Sequence, residues 1–441
     1  MFIKPENWNK LTQEERRKLR LDYWEGGEWI TFFDANAESE YKKKVKVLRD
    51  AVEMKGCSRI PTVPMMGGYL FKRAGLSGRE VLYNYESMSK PIIDFHNKFK
   101  PDTAVLPMMG SARVWEILDY KLYTWAGHGL PDNHYFQTVE KEYMKEDEYP
   151  LFIGDPSGFW LKQYLPRVFG SLAPLSKMFD LPLLTEIVQV GWASFPFGMP
   201  DVQDMLKKLM EAGNEAMKFM EVSTKFSTDL ESSGYPSLRS VFVKAPFDMI
   251  GDTLRGVKGM VMDMYRRPDQ VIAACEKLVP VIIRDAVEAC NRTGAVFVFF
   301  PLHKGADAFM SPDQYKKFYW PTFRAVMEGL NKEGLIAHLF AEGSYNKRLE
   351  IIADYPKGWT LWYFDQTDMR KAKKLLGGTA CIQGNVPSSL MTTAPVEQLK
   401  AYCEDLLNIF SDDGGFILSN GAVLDDSTDE HVRTLIEIVR G

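Results

Sequence analysis

Two histidines and two carboxylates are the residues of this chain best suited to acid–base chemistry. Glu342 follows His338 by four residues, and His303 opens a polar stretch after another apolar run. Asp365 ends a third apolar run. An imidazole near a carboxylate exchanges protons close to neutral pH, so we predict that His338, Glu342, His303 and Asp365 are catalytic.

A second group of polar and aromatic residues is suited to holding a substrate. The predicted substrate contacts are Tyr69, Asp307, Tyr345, Tyr363, Gln383 and Asn385. Several of the polar residues near the predicted strand ends also have a possible structural role. Glu342 has the position of a carboxylate at a helix start, and Gly384 suits a tight turn. Asp368 is predicted to cap a helix, and Lys244 is predicted to pair with Asp248.

Eight apolar runs are predicted to be buried parallel strands that position these residues. They are residues 61–66, 103–108, 240–245, 295–300, 335–340, 360–364, 379–383 and 415–419. Helical patterns separate them, and the later strands recur every 20–35 residues or so (about one βα unit). This arrangement predicts an α/β fold, the (β/α)8 TIM barrel. An open doubly wound sheet is the alternative, disfavoured because no glycine-rich phosphate loop follows an early strand.

The barrel is expected to carry two additions. Residues 1–60 are predicted to be an N-terminal helical extension, and residues 61–441 the barrel. The stretch of about residues 110–235 exceeds the length of one barrel connection, so we predict a helical insertion. Parallel barrels bring the C-terminal ends of their strands to one mouth. We therefore expect His338, Glu342, His303, Asp365 and Asn385 to converge there.

Composition excludes several classes of protein. The 441 residues include 54 Lys plus Arg and 59 Asp plus Glu, a net charge of −5, which argues against a nucleic-acid-coating role. Five cysteines without a CxxC pair fit a reducing compartment. The charged N-terminal stretch has no apolar core of a signal peptide, and no apolar run approaches the roughly 20 residues of a membrane span. We expect a cytoplasmic protein that binds neither nucleic acid nor membrane.

The C-terminal third carries motifs that resemble a known family. They are Ile382-Gln383-Gly384-Asn385-Val386-Pro387, Gly414-Gly415-Phe416-Ile417-Leu418-Ser419-Asn420-Gly421, Thr428-Asp429-Glu430-His431-Val432, and, upstream, Gly334-Leu335-Ile336-Ala337-His338. Together they resemble the uroporphyrinogen decarboxylase superfamily, over about residues 60–441. The resemblance implies a (β/α)8 barrel, in agreement with the strand pattern.

The resemblance departs from the decarboxylase signature at three places. True decarboxylases bind the porphyrinogen carboxylates with two arginines after the first strand, where residues 64–69 have none and Lys72 and Arg73 lie just downstream. Their aspartate after the second strand is missing from residues 106–110, and Ala422 matches their late histidine. A substrate with four acetate groups needs fixed cations, so we expect no uroporphyrinogen decarboxylation.

The corrinoid-linked methyltransferases of the superfamily use a zinc site, which this chain matches at one position. His338 fits the zinc histidine, whereas Phe340 and Ala422 replace the two cysteines. Zinc therefore stays uncertain, and we expect less than one equivalent. The resemblance implies a cobalamin-dependent methyltransferase that moves a methyl group between a small methylated substrate and a partner corrinoid protein, and it favours a homodimer. The alternatives are a decarboxylase or lyase of a tetrapyrrole or smaller carboxylate, and a non-catalytic corrinoid- or tetrapyrrole-binding module.

Overall fold

Nine β-strands form two sheets in residues 2–180, 184–238, 240–411 and 414–440, the part of the chain that this computed structural model describes. The strands are β1 (Tyr123–Ala126), β2 (Gly129–Leu130), β3 (Phe136–Thr138), β4 (Ser240–Phe242), β5 (Phe297–Leu302), β6 (Ile336–Ala341), β7 (Thr360–Phe364), β8 (Cys381–Val386) and β9 (Phe416–Asn420). Strands β4 to β9 form a parallel sheet in chain order. Strands β1 to β3 form a small separate sheet inside the insertion.

Two extended segments, residues 61–66 and 103–108, complete the barrel. The Val63 N–H donates to the Leu418 carbonyl, and the Leu418 N–H donates to the Pro61 carbonyl, both at 2.9 Å, so the first segment lies beside β9. The Ala104 N–H donates to the Pro236 carbonyl just before β4. The fold is a (β/α)8 barrel, as the sequence predicts.

The two segments differ from the prediction in one respect. Both are extended, but neither forms a continuous ladder; residues 61–66 make only isolated bridges, to Leu418 of the neighbouring β9 and to Leu424. Pro61, Pro64 and Pro107 supply the reason, because proline has no N–H to donate to a neighbouring strand.

Helices surround the sheet and fill the insertion. The N-terminal helices are α1 (Gln13–Gly26) and α2 (Ala35–Val52). The next nine extend to the end of the insertion: α3 (Tyr69–Arg73), α4 (Gly78–Tyr83), α5 (Ser89–Phe99), α6 (Ala112–Leu118), α7 (Tyr149–Gly154), α8 (Pro156–Phe159), α9 (Leu165–Val168), α10 (Ile187–Ser194) and α11 (Pro200–Ser232). The remaining ten are α12 (Pro246–Asp248), α13 (Gly256–Arg266), α14 (Pro268–Thr293), α15 (Pro312–Gln314), α16 (Trp320–Lys332), α17 (Leu349–Ile352), α18 (Met369–Leu376), α19 (Ser388–Thr392), α20 (Val396–Ile409) and α21 (Asp429–Glu437).

The first two helices close the bottom of the barrel. Leu21 and Trp24 of α1, with Tyr41 of α2, belong to one buried apolar cluster with inward side chains from the starts of the strands, such as Phe297 and Ile336. The Trp24 and Phe297 rings meet edge to face at 5.4 Å. This packing leaves the C-terminal ends of the strands as the open end.

The insertion packs against the barrel helices. Tyr149 and Phe152 of α7 share a buried cluster with Leu254 and Met264, which follow β4. The N–H groups of Tyr143 and Met144 both donate to the Leu254 carbonyl. Among the described residues, none of the helices has the length and apolar composition needed to cross a membrane.

Candidate active site

A cavity of about 730 Å³ opens at the mouth of the barrel. Its walls come from the two proline-interrupted segments and from the small sheet of the insertion, and most of its lining is apolar. The apolar lining residues include Val63, Met65, Met66, Leu76, Val105, Leu106, Met108, Met109, Leu130 and Phe136. Leu106 and Met108 are also exposed to solvent, so the entrance itself is apolar.

The floor of the cavity is formed by inward side chains of the parallel strands. Phe299, His338, Tyr363 and Gln383 line it. His338 Nε2–H donates to Gln383 Oε1 at 3.0 Å, and the other ring nitrogen has no partner among the described residues. Burial lowers the pKa of His338 to about 4, against a smaller opposing effect of the Gln383 hydrogen bond. The floor therefore holds a neutral imidazole.

The rim of the cavity carries charges that are already paired. Lys72 Nζ lies 2.5 Å from Asp426 Oδ2, and the Gly68 N–H donates to Asp425 Oδ1 at 2.7 Å. The arginines nearest in sequence are also engaged, Arg59 with Asp102 and Arg73 with Asp429. No arginine lines the cavity in the described part of the chain, and Lys72, the lysine that does, is paired with Asp426.

A charged cluster stands at the ends of β4, β5 and β6. Asp252 accepts from Lys244 Nζ at 2.8 Å and from His303 Nδ1–H at 2.5 Å, and it pairs with Lys304 Nζ at 2.7 Å. His303 Nε2 lies 3.5 Å from Glu342 Oε1. We call Lys244, Asp248, Asp252, His303, Lys304 and Glu342 the charged cluster.

The cluster shifts the titration of its members in opposite directions. Burial alone would lower the pKa of His303, but its hydrogen bonds to Asp252 and Glu342 raise that pKa to about 10. Burial opposes ionisation of Asp252 as well, yet His303 and the two lysines hold its pKa below the ordinary value. Burial and the Asp252 charge raise the pKa of Asp248. His303 therefore keeps its proton at neutral pH.

Asp365 extends this polar region towards β7. Its Oδ2 accepts from the Gly343 N–H at 3.0 Å, which places it beside the loop that carries Glu342. Burial raises the pKa of Asp365, and the Glu342 charge adds to the shift. The structure thus brings three of the four predicted catalytic residues, His303, Glu342 and Asp365, to one side of the mouth.

Comparisons with known proteins agree with this architecture. Residues 239–441 match the family model of uroporphyrinogen decarboxylase. Residues 239–441, a little under half of the chain, are thus similar to the uroporphyrinogen decarboxylase family. A solved structure of a methyltransferase from Methanosarcina mazei superposes with a TM-score of 0.57 at 15% identity, over 91% of this chain and 98% of that chain. That likeness shows the shared fold. The sequence matches no curated protein.

His338, the superfamily's strand histidine, lies deeper than we predicted. It is the third residue of β6 and does not end the strand, so it belongs to the floor of the cavity. Four residues along a strand span about 13 Å, which separates the His338 backbone from that of Glu342. The expected convergence of all five residues is therefore wrong for His338, because the strand continues to Ala341.

Two predicted substrate contacts instead hold the loops behind the mouth together. Tyr345 is fully buried, and its hydroxyl donates to the Leu302 carbonyl at 3.2 Å. Asp307 accepts from Ser344 Oγ and from the Lys347 N–H, both at 3.0 Å. Neither lines the cavity, because the loops after β5 and β6 turn these side chains towards each other.

Two further predicted contacts also have structural partners. Asn385 Nδ2 donates to the carbonyls of Asp365 and Thr367, so the Gln-Gly-Asn motif divides into a cavity residue, Gln383, and a loop anchor, Asn385. The Tyr69 hydroxyl donates to Asp429 Oδ1 at 2.6 Å and does not line the cavity.

Tyr363 differs from these because it does line the cavity. Its hydroxyl donates to the Asn420 carbonyl at 2.6 Å, so it presents mainly its ring to a ligand. Asp368 caps α18 as predicted, accepting from the N–H groups of Arg370 and Lys371.

The sequence pattern did not predict a role for Asp252 or Lys304, and the predicted ion pair between Lys244 and Asp248 is wrong. Lys244 pairs with Asp252, whereas Asp248 accepts from the Tyr319 hydroxyl at 2.6 Å and from the Lys304 N–H at 2.8 Å. The spacing in the sequence could have indicated this cluster. Asp248 and Asp252 are four residues apart in a helical stretch and therefore share one face.

The residues around the superfamily's metal position do not fit zinc. Within the described ranges, no three His, Cys, Asp or Glu side chains are grouped so that they could hold a metal ion. Cys381 is fully buried in the apolar cluster at the bottom of the barrel, and burial raises the pKa of its thiol. A catalytic zinc needs three converging ligands, and His338 has only Gln383 as a polar partner.

Proposed function

We propose that this superfamily member is a methyltransferase that moves a methyl group between a small methylated substrate and the cobalamin of a partner corrinoid protein. The observation that carries the proposal is the apolar cavity, whose charged rim groups are paired and whose floor is neutral. Such a pocket suits a small substrate without several negative charges. The exposed apolar entrance at Leu106 and Met108 fits the apolar face of a corrinoid ring.

The same observation argues against decarboxylation of uroporphyrinogen. Four acetate groups would have to enter a cavity without a free cation and pass a rim that carries Asp425 and Asp426. Burying unpaired carboxylates costs several kcal/mol each, on the order of the values for isolated buried ions. A lyase acting on a smaller carboxylate meets the same difficulty, and a binding module would have no need of the protonated His303.

The chain's own residues would bind the substrate and supply a proton. A reduced corrinoid supplies a strong nucleophile for the methyl carbon when it is bound. The bond between the methyl carbon and its heteroatom breaks, and the heteroatom needs a proton in order to leave. His303 holds such a proton beyond the end of β5, outside the lining of the cavity, with Glu342 beside it. His338 and Gln383 orient the substrate from below.

The direct test is a methyl-transfer assay with the purified full chain. Candidate methyl ethers, amines and thioethers are mixed with chemically reduced cobalamin under anaerobic conditions, and loss of the reduced cobalamin is followed by absorbance. We expect at least one donor to react faster with the protein than without it. His128→Gln, which changes an exposed histidine away from the cavity, serves as the control.

Two results would contradict the proposal. One is uroporphyrinogen turnover above background in an anaerobic fluorescence assay. The other is methyl transfer that is unchanged when the cavity is filled by Leu76→Trp.

A further inference from the structure

The cavity at the barrel mouth is larger than the simplest methyl donors require. Its volume of about 730 Å³ lies within the range of roughly 300–1,000 Å³ that is typical of pockets enclosing drug-sized ligands. Methanol or methylamine would fill only a small part of this space, and an apolar cavity binds a ligand through the apolar surface that the ligand buries. The cavity therefore suits a methyl group carried on a larger apolar framework.

Aromatic rings line the cavity on its floor and on one wall. On the floor, the Phe299 ring meets the His338 ring edge to face with 5.1 Å between centroids, and the Tyr363 ring lies 6.2 Å from His338. On the wall, Tyr135 and Phe136 come from the insertion. The methionines of the lining are Met65, Met66, Met108 and Met109. Aromatic rings and methionine sulfur atoms both make favourable contacts with an aromatic ligand, so the lining favours an aromatic framework.

Two polar side chains of the cavity have hydrogen-bonding groups free for a ligand. The Gln383 amide nitrogen and the Thr103 hydroxyl have no hydrogen-bond partner in the described part of the chain, although both residues are almost fully buried. They are neutral donors that suit an ether oxygen, whereas a thioether sulfur is a weak acceptor. Of the carboxylates in the described lining, Asp425 accepts from a backbone N–H and Asp426 pairs with Lys72. A methylammonium ion would therefore be buried without a free counter-charge.

The position of the proton donor restricts the leaving group. His303 directly follows β5 and does not line the cavity, so its proton is not at the heteroatom when the bond to the methyl carbon breaks. The released atom must therefore carry a negative charge for a time. An aryl oxygen does this readily, because a phenol ionises at an ordinary pKa of about 10, as in tyrosine, whereas an aliphatic alcohol is a far weaker acid. An aryl ether fits this arrangement, and an alkyl ether does not.

Resting on the proposed methyl transfer, we infer that the substrate is an uncharged aromatic methyl ether. Its ring lies against Phe299 and Tyr363, and its ether oxygen accepts hydrogen bonds from the Gln383 amide and the Thr103 hydroxyl. In the reaction, the bond between the methyl carbon and the ether oxygen breaks, and the oxygen keeps the electron pair. The methyl carbon passes to the nucleophile that the corrinoid supplies. The aryl oxygen takes up the proton that the proposed function assigns to His303, which leaves a phenol.

Equilibrium binding tests the substrate class without any methyl transfer. The full chain is titrated calorimetrically with anisole, thioanisole, 1,2-dimethoxyethane and tetramethylammonium. We expect anisole to bind most tightly, about tenfold more tightly than thioanisole, because one hydrogen bond contributes on the order of that factor. The aliphatic ether lacks the ring and the ammonium ion lacks an acceptor, so we expect neither to bind at millimolar concentration.

Replacing both neutral donors should remove the preference for the ether. In Thr103→Val combined with Gln383→Leu, which keeps the approximate volume of both side chains, anisole and thioanisole should bind equally well. Thr103→Ser keeps the hydroxyl and should retain the preference. Gln203→Leu, at an exposed glutamine outside the cavity lining, is the matched control. The comparison of ligands on the wild type stands even if the double variant fails to fold.

The outcomes of this experiment and of the methyl-transfer assay are separate. Selective binding of anisole without transfer of its methyl group supports the substrate class and contradicts the proposed function. Methyl transfer from tetramethylammonium or 1,2-dimethoxyethane, with no selective binding of anisole, overturns the substrate class and leaves the proposed function intact. Equal binding of anisole and thioanisole to the wild type, or a preference that survives in the double variant, also overturns the inference.

Discussion

The two sides of the barrel mouth differ in the charge of the side chains that form them. On one side, the cavity walls are apolar and the floor histidine is neutral, with a pKa lowered to about 4 by burial. On the other side, the charged cluster holds a histidine whose pKa is raised to about 10 by two carboxylates. The same residue type, inside β6 in one case and directly after the adjacent β5 in the other, is thus set to opposite protonation states. Environment, and not residue type, assigns the chemistry of each side.

This contrast suggests a division of labour under the proposed function. An apolar pocket positions a methyl group and offers it no nucleophile. A protonated imidazole donates a proton to the departing heteroatom.

Replacing the proton donor should have the largest effect on activity. We expect His303→Gln to slow methyl transfer by roughly 10²–10⁴-fold with the fold intact, the range for a lost acid–base group. Wild-type activity that depends on this proton should fall as pH rises through about 10, where His303 loses it. Initial rates across pH measure both effects. Equal rates for His303→Gln and His128→Gln would show that the charged cluster is structural.

Removing the carboxylate at the centre of the cluster should cost the most stability. Asp252→Asn leaves Lys244, Lys304 and His303 without their shared partner, and we expect a loss of roughly 3–5 kcal/mol in the free energy of unfolding. The pKa of His303 should fall towards its ordinary value. Urea unfolding and NMR titration of the imidazole measure these changes.

The matched control for this loss is Asp426→Asn, which removes an exposed ion pair with Lys72. It should cost less than about 1 kcal/mol. A similar cost for both variants would mean that Asp252 is well solvated and that the cluster does not control His303.

The floor histidine should make the protein sensitive to acid. Its pKa is about 4 in the folded chain and 6.5 without burial, so its contribution to stability is complete above about pH 6.5 and is lost as pH falls towards 4. The shift corresponds to roughly 3 kcal/mol. His338→Phe should flatten the pH dependence of unfolding in this window, as measured by urea titrations at pH 7 and 4.5. His96, whose pKa is lowered in the same way, remains as an internal reference. If the free energy of unfolding of His338→Phe depends on pH as steeply as that of the wild type, His338 is more accessible to water than this structure indicates.

The smallest expected effect is that of metal removal. Because His338 belongs to no group of three His, Cys, Asp or Glu side chains in the described part of the chain, we expect zinc well below one equivalent, and a chelator should change neither activity nor melting temperature. Elemental analysis of protein purified without chelators provides the measurement. Stoichiometric zinc that disappears in His338→Ala would contradict the description of the floor.

Much of the fold was accessible from the sequence, because buried parallel strands are continuous apolar runs. Residues 297–302, 336–341 and 381–386 are examples, each found within a few residues of its predicted position. The segments 61–66 and 103–108 are extended but irregular. Their apolar character predicted the burial of most of residues 61–66 but not that of Leu106 and Met108, and their prolines determined that no full ladder forms.

The candidate site was predictable in its residue types and less so in its contacts. His303, Glu342 and Asp365 follow strand ends in the sequence, and parallel strands bring such ends together. The actual partner of His303 is Asp252, which arrives from a helical turn 51 residues earlier in the chain. Tyr345 and Asp307 have equally suggestive positions, but they face the loops.

The sequence by itself determined the barrel, the resemblance to the uroporphyrinogen decarboxylase family and the residue types available at the mouth, because hydrophobic periodicity and local motifs act over short stretches of chain. Only the tertiary structure decided which histidine is neutral and which is charged. A pKa depends on burial and on charges within a few ångströms, and both come from residues distant in sequence. The sequence places two of its six histidines and several acids close to strand ends, and the packing of the strands and their loops assigns each its proton.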